Sequence, residues 1–215
     1  MTTWYIIPAR KDSKGIKFKN RKLFNYTAIS LSEEIGKQVV VSSNDDHILK
    51  AAEKFGFSCL ARNSDISKDQ SSMKEVLLDV IKEFDIAEDD DIILLYLTYP
   101  QRKWEDIEKI YDFYKNSNAR SLSCSIDIAD HPYLCYYEIE GHKGQPVVEH
   151  SLYRRQEYPK CFRQSLFVAV FKADEVTQLN DSLLCRDTVF YKLNRKVIDI
   201  DHDVDMAKFE ESDDC

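Results

Sequence analysis

Hydrophobic positions along the chain follow two rhythms. Short apolar runs of strand length occur at residues 4–8 (WYIIP), 38–42 (QVVVS) and 57–60 (FSCL). The run at 91–97 (DIILLYL) is apolar without alternation, the pattern of a strand buried on both faces. Between these runs the spacing changes to three and four. Ile48, Leu49, Ala52 and Phe55 share one face of a helix over 46–55, and Gly56 sits where its C-terminal cap belongs. Met73, Val76, Leu77, Val80, Ile81 and Phe84 form a second helical stripe, which Ser72 and Glu75 precede with the spacing of a capping box. Trp104, Ile107, Tyr111 and Tyr114 mark a third helix, and 120–126 returns to strand. Strands alternating with helices at this rhythm predict βαβ units on a mostly parallel sheet, an α/β fold. Right-handed crossovers then gather the loops that follow the strands at one edge, where such sheets bind ligands.

The rhythm breaks between 131 and 163, where aromatic residues crowd HPYLCYYEIEGHKGQP and RRQEYPKCFR. This stretch reads as an antiparallel excursion inserted into the sheet domain. Residues 166–171 and 196–200 read as late strands and 204–209 as a closing helix. The expected organisation is a single domain over 1–215 with 131–163 as an inserted subregion.

Composition narrows the classes. The 215 residues are 43% hydrophobic and 32% charged, enough for one large domain with its own core. Five glycines and five prolines leave little room for long linkers. No apolar run approaches the roughly 18 residues of a membrane span, and the N-terminal residues lack the charged and apolar regions of a secretory signal. Six scattered cysteines without a CxxC pair suggest reduced thiols in a cytoplasmic protein, and the scattered histidines suggest no zinc site. A net charge of -8 argues against duplex nucleic acid as the main partner.

Against that acidic balance, 9–22 (ARKDSKGIKFKNRK) carries seven basic residues directly after the first strand. A charge run is commonly a solvated loop. At the carboxyl edge of a parallel sheet, however, Arg10, Lys14 and Lys19 are placed to hold a polyphosphate, with backbone N–H groups around Ser13 and Gly15 as an anion nest. Neither GxxxxGK[ST] nor GxGxxG is present, so this is neither a P-loop nor a dinucleotide fingerprint.

IIPARKDSKGIKFKN closely resembles the opening motif of the acylneuraminate cytidylyltransferase family, the CMP-sialic acid synthetases. Ala9, Arg10, Ser13, Lys14, Gly15, Lys19 and Asn20 occupy its positions. Further similar stretches follow in the family's order. LARNSDISKDQSS supplies Arg62, Asp69, Ser71 and Ser72; LLYLTYPQR resembles LLQPTSPLR; DHP at 130–132, RRQEYPKCFR at 154–163 and IDIDHDVDMAKFE near the end also fit. The likeness runs from about residue 5 to 210.

The resemblance implies a three-layer, Rossmann-like nucleotidyltransferase fold whose inserted excursion dimerises. It implies CMP transfer from CTP to the anomeric hydroxyl of a 2-keto sugar acid such as sialic acid, feeding surface polysaccharide synthesis. Charge accumulating on phosphoryl oxygens during attack at the α-phosphorus calls for positioned cations and metal. Lys19 is expected on the reacting phosphate and Arg10 on the triphosphate, with Ala9, Ser13, Lys14, Gly15 and Asn20 completing the cradle. Arg62, Ser71 and Ser72 are expected at the nucleotide, although Ser72 would cap its helix regardless and Arg62 would otherwise be a surface ion-pairing residue. Asp199 and Asp201, two apart on an expected strand, would face one side with Cα atoms roughly 7 Å apart. Such a carboxylate pair suits Mg²⁺. Asp203 and Asp205 match no metal position and are expected at a helix cap or in solvent.

Arg155 and Gln156 resemble the family segment that crosses to a neighbouring subunit and helps bind the sugar acid. Tyr96 stands where the family's LLQPTSPLR has its sugar-recognising Gln; Leu97 replaces Pro and Tyr99 replaces Ser. Gln164, Ser165 and Leu166 also depart from the family pattern. The departures cluster at the sugar end, so a different acceptor is expected. A same-fold enzyme using another acceptor or base, and a catalytically lapsed nucleotide binder, are the alternatives; the retained Arg10, Lys19, Asp199 and Asp201 weigh against the second.

Overall fold

A computed structural model of the chain describes residues 1–11, 15–67 and 71–213. The elements in order are β1 (Thr3–Pro8), α1 (Lys19–Ile29), β2 (Val39–Ser43), α2 (Asp46–Lys54), β3 (Ser58–Ala61), α3 (Met73–Glu83), β4 (Asp91–Leu94), α4 (Trp104–Asn116) and β5 (Ser121–Asp127). There follow the hairpin strands β6 (Tyr136–Ile139) and β7 (Lys143–Pro146), then β8 (Phe162–Lys172), β9 (Val189–Lys192) and α5 (Asp203–Asp213).

The main sheet has the order β3-β2-β1-β4-β8-β5-β9. β1 runs parallel to both β2 and β4, and β2 to β3. β8 is antiparallel to β4 and β5, while β9 lies parallel to β5 at the edge. The expected α/β architecture with a mostly parallel sheet is therefore present. Period-two alternation divides each central strand between two cores. Ile7, Val39, Val41, Ile93 and Leu95 face α1, α2, α4 and α5 through Leu23, Phe24, Ile48, Ala52, Ile107, Ile110 and Phe209. Ile6, Val40, Ile92 and Leu94 face α3 through Leu77 and Val80. Helices on both faces make three layers.

Local signals explain the element ends. Ser72 accepts from Glu75 N while the Glu75 carboxylate accepts from Ser72 N, a complete capping box on α3. Gly56 takes φ +72° after α2, the left-handed turn that favours glycine. Two expectations are corrected. β4 ends at Leu94, although Leu95 and Leu97 are buried beyond it and Leu95 N still donates to Ile6 O at 2.9 Å. Residues 196–200 are not a strand; the final strand is β9, at 189–192. Segment 196–200 has no sheet neighbour, and Ile200 N instead donates to Thr98 O of a loop at 2.9 Å.

The excursion over 131–163 is antiparallel, as β6 pairs with β7. None of its residues is buried. His131, Tyr133, His150 and Tyr158 pack on one another, with Tyr133 stacked on His150 at 4.2 Å and His131 against Tyr158 at 5.0 Å. Tyr136, Tyr137 and Tyr153 remain exposed, the last to 95%.

At the sheet edge opposite the site, Asp91 is fully buried. Its carboxylate meets Lys172 Nζ at 2.6 Å and accepts from Tyr111 Oη at 2.7 Å and Tyr114 Oη at 3.3 Å. Burial alone would raise its pKa. Hydrogen bonds from Lys172 and Tyr111, with the charges of Lys172 and Lys115, outweigh that and hold the carboxyl below its ordinary value. A lowered folded-state pKa contributes stability above the unfolded-chain value of about 4, lost as pH falls through the folded value. Asp91→Asn is expected to cost about 2–3 kcal/mol at neutral pH and to flatten the loss of stability below about pH 4. Urea unfolding at several pH values checks both; an unchanged acid limb would remove Asp91 from the pH response.

Candidate active site

Parallel pairing brings the carboxyl ends of β1, β2 and β4 to one edge, and the basic loop starts there. Its root is tied to β2: Ala9 N donates to Ser42 O at 2.9 Å, and the buried Ser43 hydroxyl donates to Ala9 O. Lys11 N donates to Asn44 Oδ1 at 2.7 Å, and Asn20 Nδ2 reaches back to Arg10 O at 2.8 Å. Ala9 and Asn20 thus hold the loop in place. α1 begins at Lys19 behind a left-handed Phe18 (φ 55°), and a bidentate Arg21–Asp45 pair fixes it against the start of α2.

Arg10, Lys19, Asn20, Arg62 and Tyr96 come together around a cavity of about 170 Å³, with Pro8, Met73, Leu97 and Thr98 completing the wall. Lys19 is buried; its Nζ donates to Ile200 O at 2.7 Å and to Asp201 Oδ1 at 3.0 Å. Arg62 is buried too, so it is not the surface residue that an isolated arginine would suggest. Its Nη2 donates to Ser42 O at 2.8 Å and its Nε to Ser42 Oγ at 3.2 Å. Burial first, and the charge of Arg10 second, lower its pKa to about 10, which leaves the guanidinium charged at neutral pH. Arg10, Lys19 and Arg62 concentrate positive charge around this small hollow, Lys19 with Asp201 beside it, and a polyphosphate suits such a site.

Gly15 belongs to this arrangement through contact. A Cβ built on it would lie 2.2 Å from the backbone oxygen of Asp201. Only glycine lets the loop pass so close to the C-terminal segment.

The aspartate pair is placed differently from expectation. Since 196–200 is not a strand, Asp199 and Asp201 do not share a sheet face. Asp201 turns to Lys19, and Asp199 Oδ2 accepts from Tyr99 Oη at 2.8 Å. Asp199 is not among the residues that line the cavity; Tyr99 ties it to the loop that follows the cavity-lining Leu97 and Thr98. Among the described residues no group of three or more His, Cys, Asp and Glu could hold a metal alone. Two carboxylates close to a cation-lined cavity nevertheless fit Mg²⁺, a hard ion that commonly takes one or two protein carboxylates and completes its shell with phosphate oxygens and water. Asp205 Oδ2 accepts from His202 N at 3.0 Å, capping α5 as expected of a residue outside the metal positions.

Other predicted residues lie apart. Ser72 caps α3 beside the cavity-lining Met73, and Ser71 Oγ donates to Asp65 O at 3.1 Å, so neither is aimed into the cavity. Arg155 and Gln156 sit on a short turn of the excursion, away from the cavity; Arg155 lines a separate hollow with His131 and Tyr158. Ser13, Lys14 and Asp69 lie outside the described residues. A larger hollow of about 620 Å³ lies between 126–129 and 192–198, but its Lys192 and Arg195 are paired with Asp127 and Asp106.

Residue-type reasoning missed Arg102. Its side chain is fully buried; Nη1 donates to Phe167 O at 2.6 Å and Nη2 to Tyr96 O at 2.9 Å, while Nε has no partner. Its place at the end of LLYLTYPQR was the available signal.

A cation-lined cavity at the carboxyl edge of a parallel sheet, flanked by two carboxylates, defines a nucleotide-handling α/β domain. Residues 4–188 match the family described as cytidylyltransferase, and the chain belongs to that family. It is 26% identical over 211 residues to the post-translational flagellin modification protein B of Campylobacter coli, covering 93% of this chain and 89% of that one. It is 27% identical over 212 residues to the CMP-N,N'-diacetyllegionaminic acid synthase of Campylobacter jejuni, with the same coverage, 93% and 89%. An N-acylneuraminate cytidylyltransferase of Streptococcus agalactiae is 24% identical over 208 residues, 91% of this chain but 49% of that protein. The solved CMP:2-keto-3-deoxy-manno-octonic acid synthetase complexed with CTP shares the fold, with a TM-score of 0.65 at 14% identity over 99% of this chain and 98% of that one.

Gly15→Ala is expected to destabilise the protein by about 1–3 kcal/mol through overpacking and to lower turnover at least about tenfold by parting the loop from Asp201, a loss of ~1.4 kcal/mol in transition-state stabilisation. Urea unfolding and steady-state kinetics check this together. Normal turnover would show that the close approach is dispensable.

Proposed function

We propose that the protein activates a nonulosonic acid, a nine-carbon 2-keto sugar acid, by transferring CMP to it from CTP. The anomeric hydroxyl oxygen bonds to the α-phosphorus, the bond from that phosphorus to the β-bridging oxygen breaks, pyrophosphate leaves and the hydroxyl proton is released. The observation that carries this reading is the convergence of Arg10, Lys19 and Arg62 on one cavity. Arg10 and Arg62 bind and orient the triphosphate. Lys19, held by Ile200 O and Asp201, presents its ammonium where charge develops on the α-phosphoryl oxygens. Asp199 and Asp201 would hold Mg²⁺, which supplies charge neutralisation on the phosphates when bound. Tyr96 stands at the acceptor end of the cavity and sets which polyol fits. The relatives named for legionaminic and sialic acids support the acceptor class. Free cysteines at 59, 124, 135, 161 and 185 are in keeping with a cytoplasmic protein, and no helix among the described residues is long and apolar enough to cross a membrane. The product would feed cell-surface glycan synthesis.

The protein is proposed to work as a twofold dimer that joins through 131–163. A two-stranded hairpin carrying exposed Tyr136 and Tyr137, followed by the exposed Tyr153, buries little by itself, and a second copy would cover it. Arg155 of each chain would then approach the other's acceptor, where a guanidinium suits a carboxylate.

The direct test is pyrophosphate release from CTP, GTP and UTP with Mg²⁺ and a panel of nonulosonic and ulosonic acids. Turnover only with CTP and a nonulosonic acid is expected; preference for another base or acceptor class would overturn the reading. Lys19→Ala should keep the fold and lower turnover a hundredfold or more, a loss of roughly 3 kcal/mol. Near-normal kcat in the folded variant would remove Lys19 from the mechanism. Mixing Lys19→Ala with Arg155→Ala after verified subunit exchange should restore activity, because one pocket of the heterodimer then holds both intact residues. A mixture that stays inactive would mean that Arg155 does not serve its neighbour's site.

A further inference from the structure

Segment 198–200 carries Asp199 without a strand beside it, so something other than a sheet ladder must set its conformation. That template is loop 98–102. Ile200 N donates to Thr98 O at 2.9 Å and Ile198 N to Gln101 Oε1 at 3.3 Å. Between those two contacts, Tyr99 Oη donates to Asp199 Oδ2 at 2.8 Å. The loop itself is anchored beneath by Arg102, whose buried guanidinium spans the carbonyls of Tyr96 and Phe167. Phe167 lies where β8 loses register with β5, so that 166–168 have no β5 partner and the carbonyl is free to accept.

Tyr99 is 4% exposed, and its ring stands edge-on to Phe167 at 5.7 Å and 83°. The hydroxyl donates to Asp199 at 2.8 Å and accepts from the buried Ser165 Oγ at 3.5 Å, which together fix its direction. Because the donation falls on Oδ2, Oδ1 of Asp199 has no hydrogen bond among the described residues and is left for an external cation. A carboxylate that ligates metal is commonly oriented in this way by a donor on its other oxygen.

We propose that Tyr99 is a positioning residue that orients Asp199 for the divalent cation accompanying CTP, with Arg102 anchoring the loop that carries it. The inference rests on the metal role given to Asp199 under the proposed function. It differs from that role in placing metal affinity partly on a phenol that touches neither metal nor substrate. Tyr99→Phe removes one oxygen and keeps the packing.

The test is calorimetric binding of CTP without acceptor, in EDTA and in saturating Mn²⁺, to the wild type, Tyr99→Phe and Asp199→Ala. Thermal unfolding of each reports the fold. The ratio of the two dissociation constants measures the coupling between metal and nucleotide. The wild type should bind CTP more tightly with Mn²⁺, and Asp199→Ala should abolish that advantage. Tyr99→Phe should reduce it about tenfold, with metal-free CTP affinity unchanged. If Tyr99→Phe keeps the full advantage while Asp199→Ala loses it, Tyr99 only fills space and the inference fails alone. Equal weakening of CTP with and without metal in Tyr99→Phe also overturns it. If the wild type shows no advantage, or Asp199→Ala retains it, the metal role of Asp199 fails and the inference fails with it.

Discussion

A buried ammonium joins the two ends of this chain. Lys19 is the first residue of α1, and its partners, Ile200 O and the Asp201 carboxylate, stand 181 and 182 residues later. A lysine with so little exposure is tolerated only where acceptors meet it, so the basic loop and the C-terminal segment must arrive together. Gly15 permits that arrival by letting the loop pass against the Asp201 backbone. Once the two segments meet, the cations of the loop face a cavity that β1, β2 and β4 hold open at their carboxyl ends.

Electrostatic balance is arranged by region rather than averaged over the surface. The chain is acidic as a whole, with a net charge of -8. At the amino end of β4, the carboxylate of Asp91 is the group that is buried, and Lys172 and Lys115 answer it. At the opposite edge, the guanidiniums of Arg62 and Arg102 are buried, and carbonyls rather than carboxylates answer them. Carbonyl partners leave most of the positive charge uncompensated. That favours an anionic ligand in the cavity.

The membership of the cytidylyltransferase family agrees with this charge pattern. The departures from the family motif have physical content. Tyr99, where the family has Ser, is long enough to reach Asp199 from a buried ring. Tyr96, where the family has Gln, brings a bulky phenol into the cavity wall. Both changes fall between the cations of the cavity and the carboxylates of the C-terminal segment.

Periodicity and capping signals by themselves determined the order of strands and helices up to β5 apart from α1, the capping of α3 by Ser72, the antiparallel excursion, and the placing of Arg10 and Lys19 at the carboxyl edge of the sheet, while the family resemblance added Asn20 and Arg62. Those features are local, or follow from the handedness of βαβ units, and a linear pattern carries them. Three things only the tertiary structure decided. Residues 196–200 have the apolar, β-branched look of a strand but no free sheet edge beside them, so loop 98–102 satisfies their backbone instead. The aspartates therefore separate, one to Lys19 and one to Tyr99, rather than sharing a strand face. Arg102, which residue type alone does not mark as internal, is fully buried beside the site. Each depends on which segments pack together across long separations, and burial of that kind leaves no period in the chain to read.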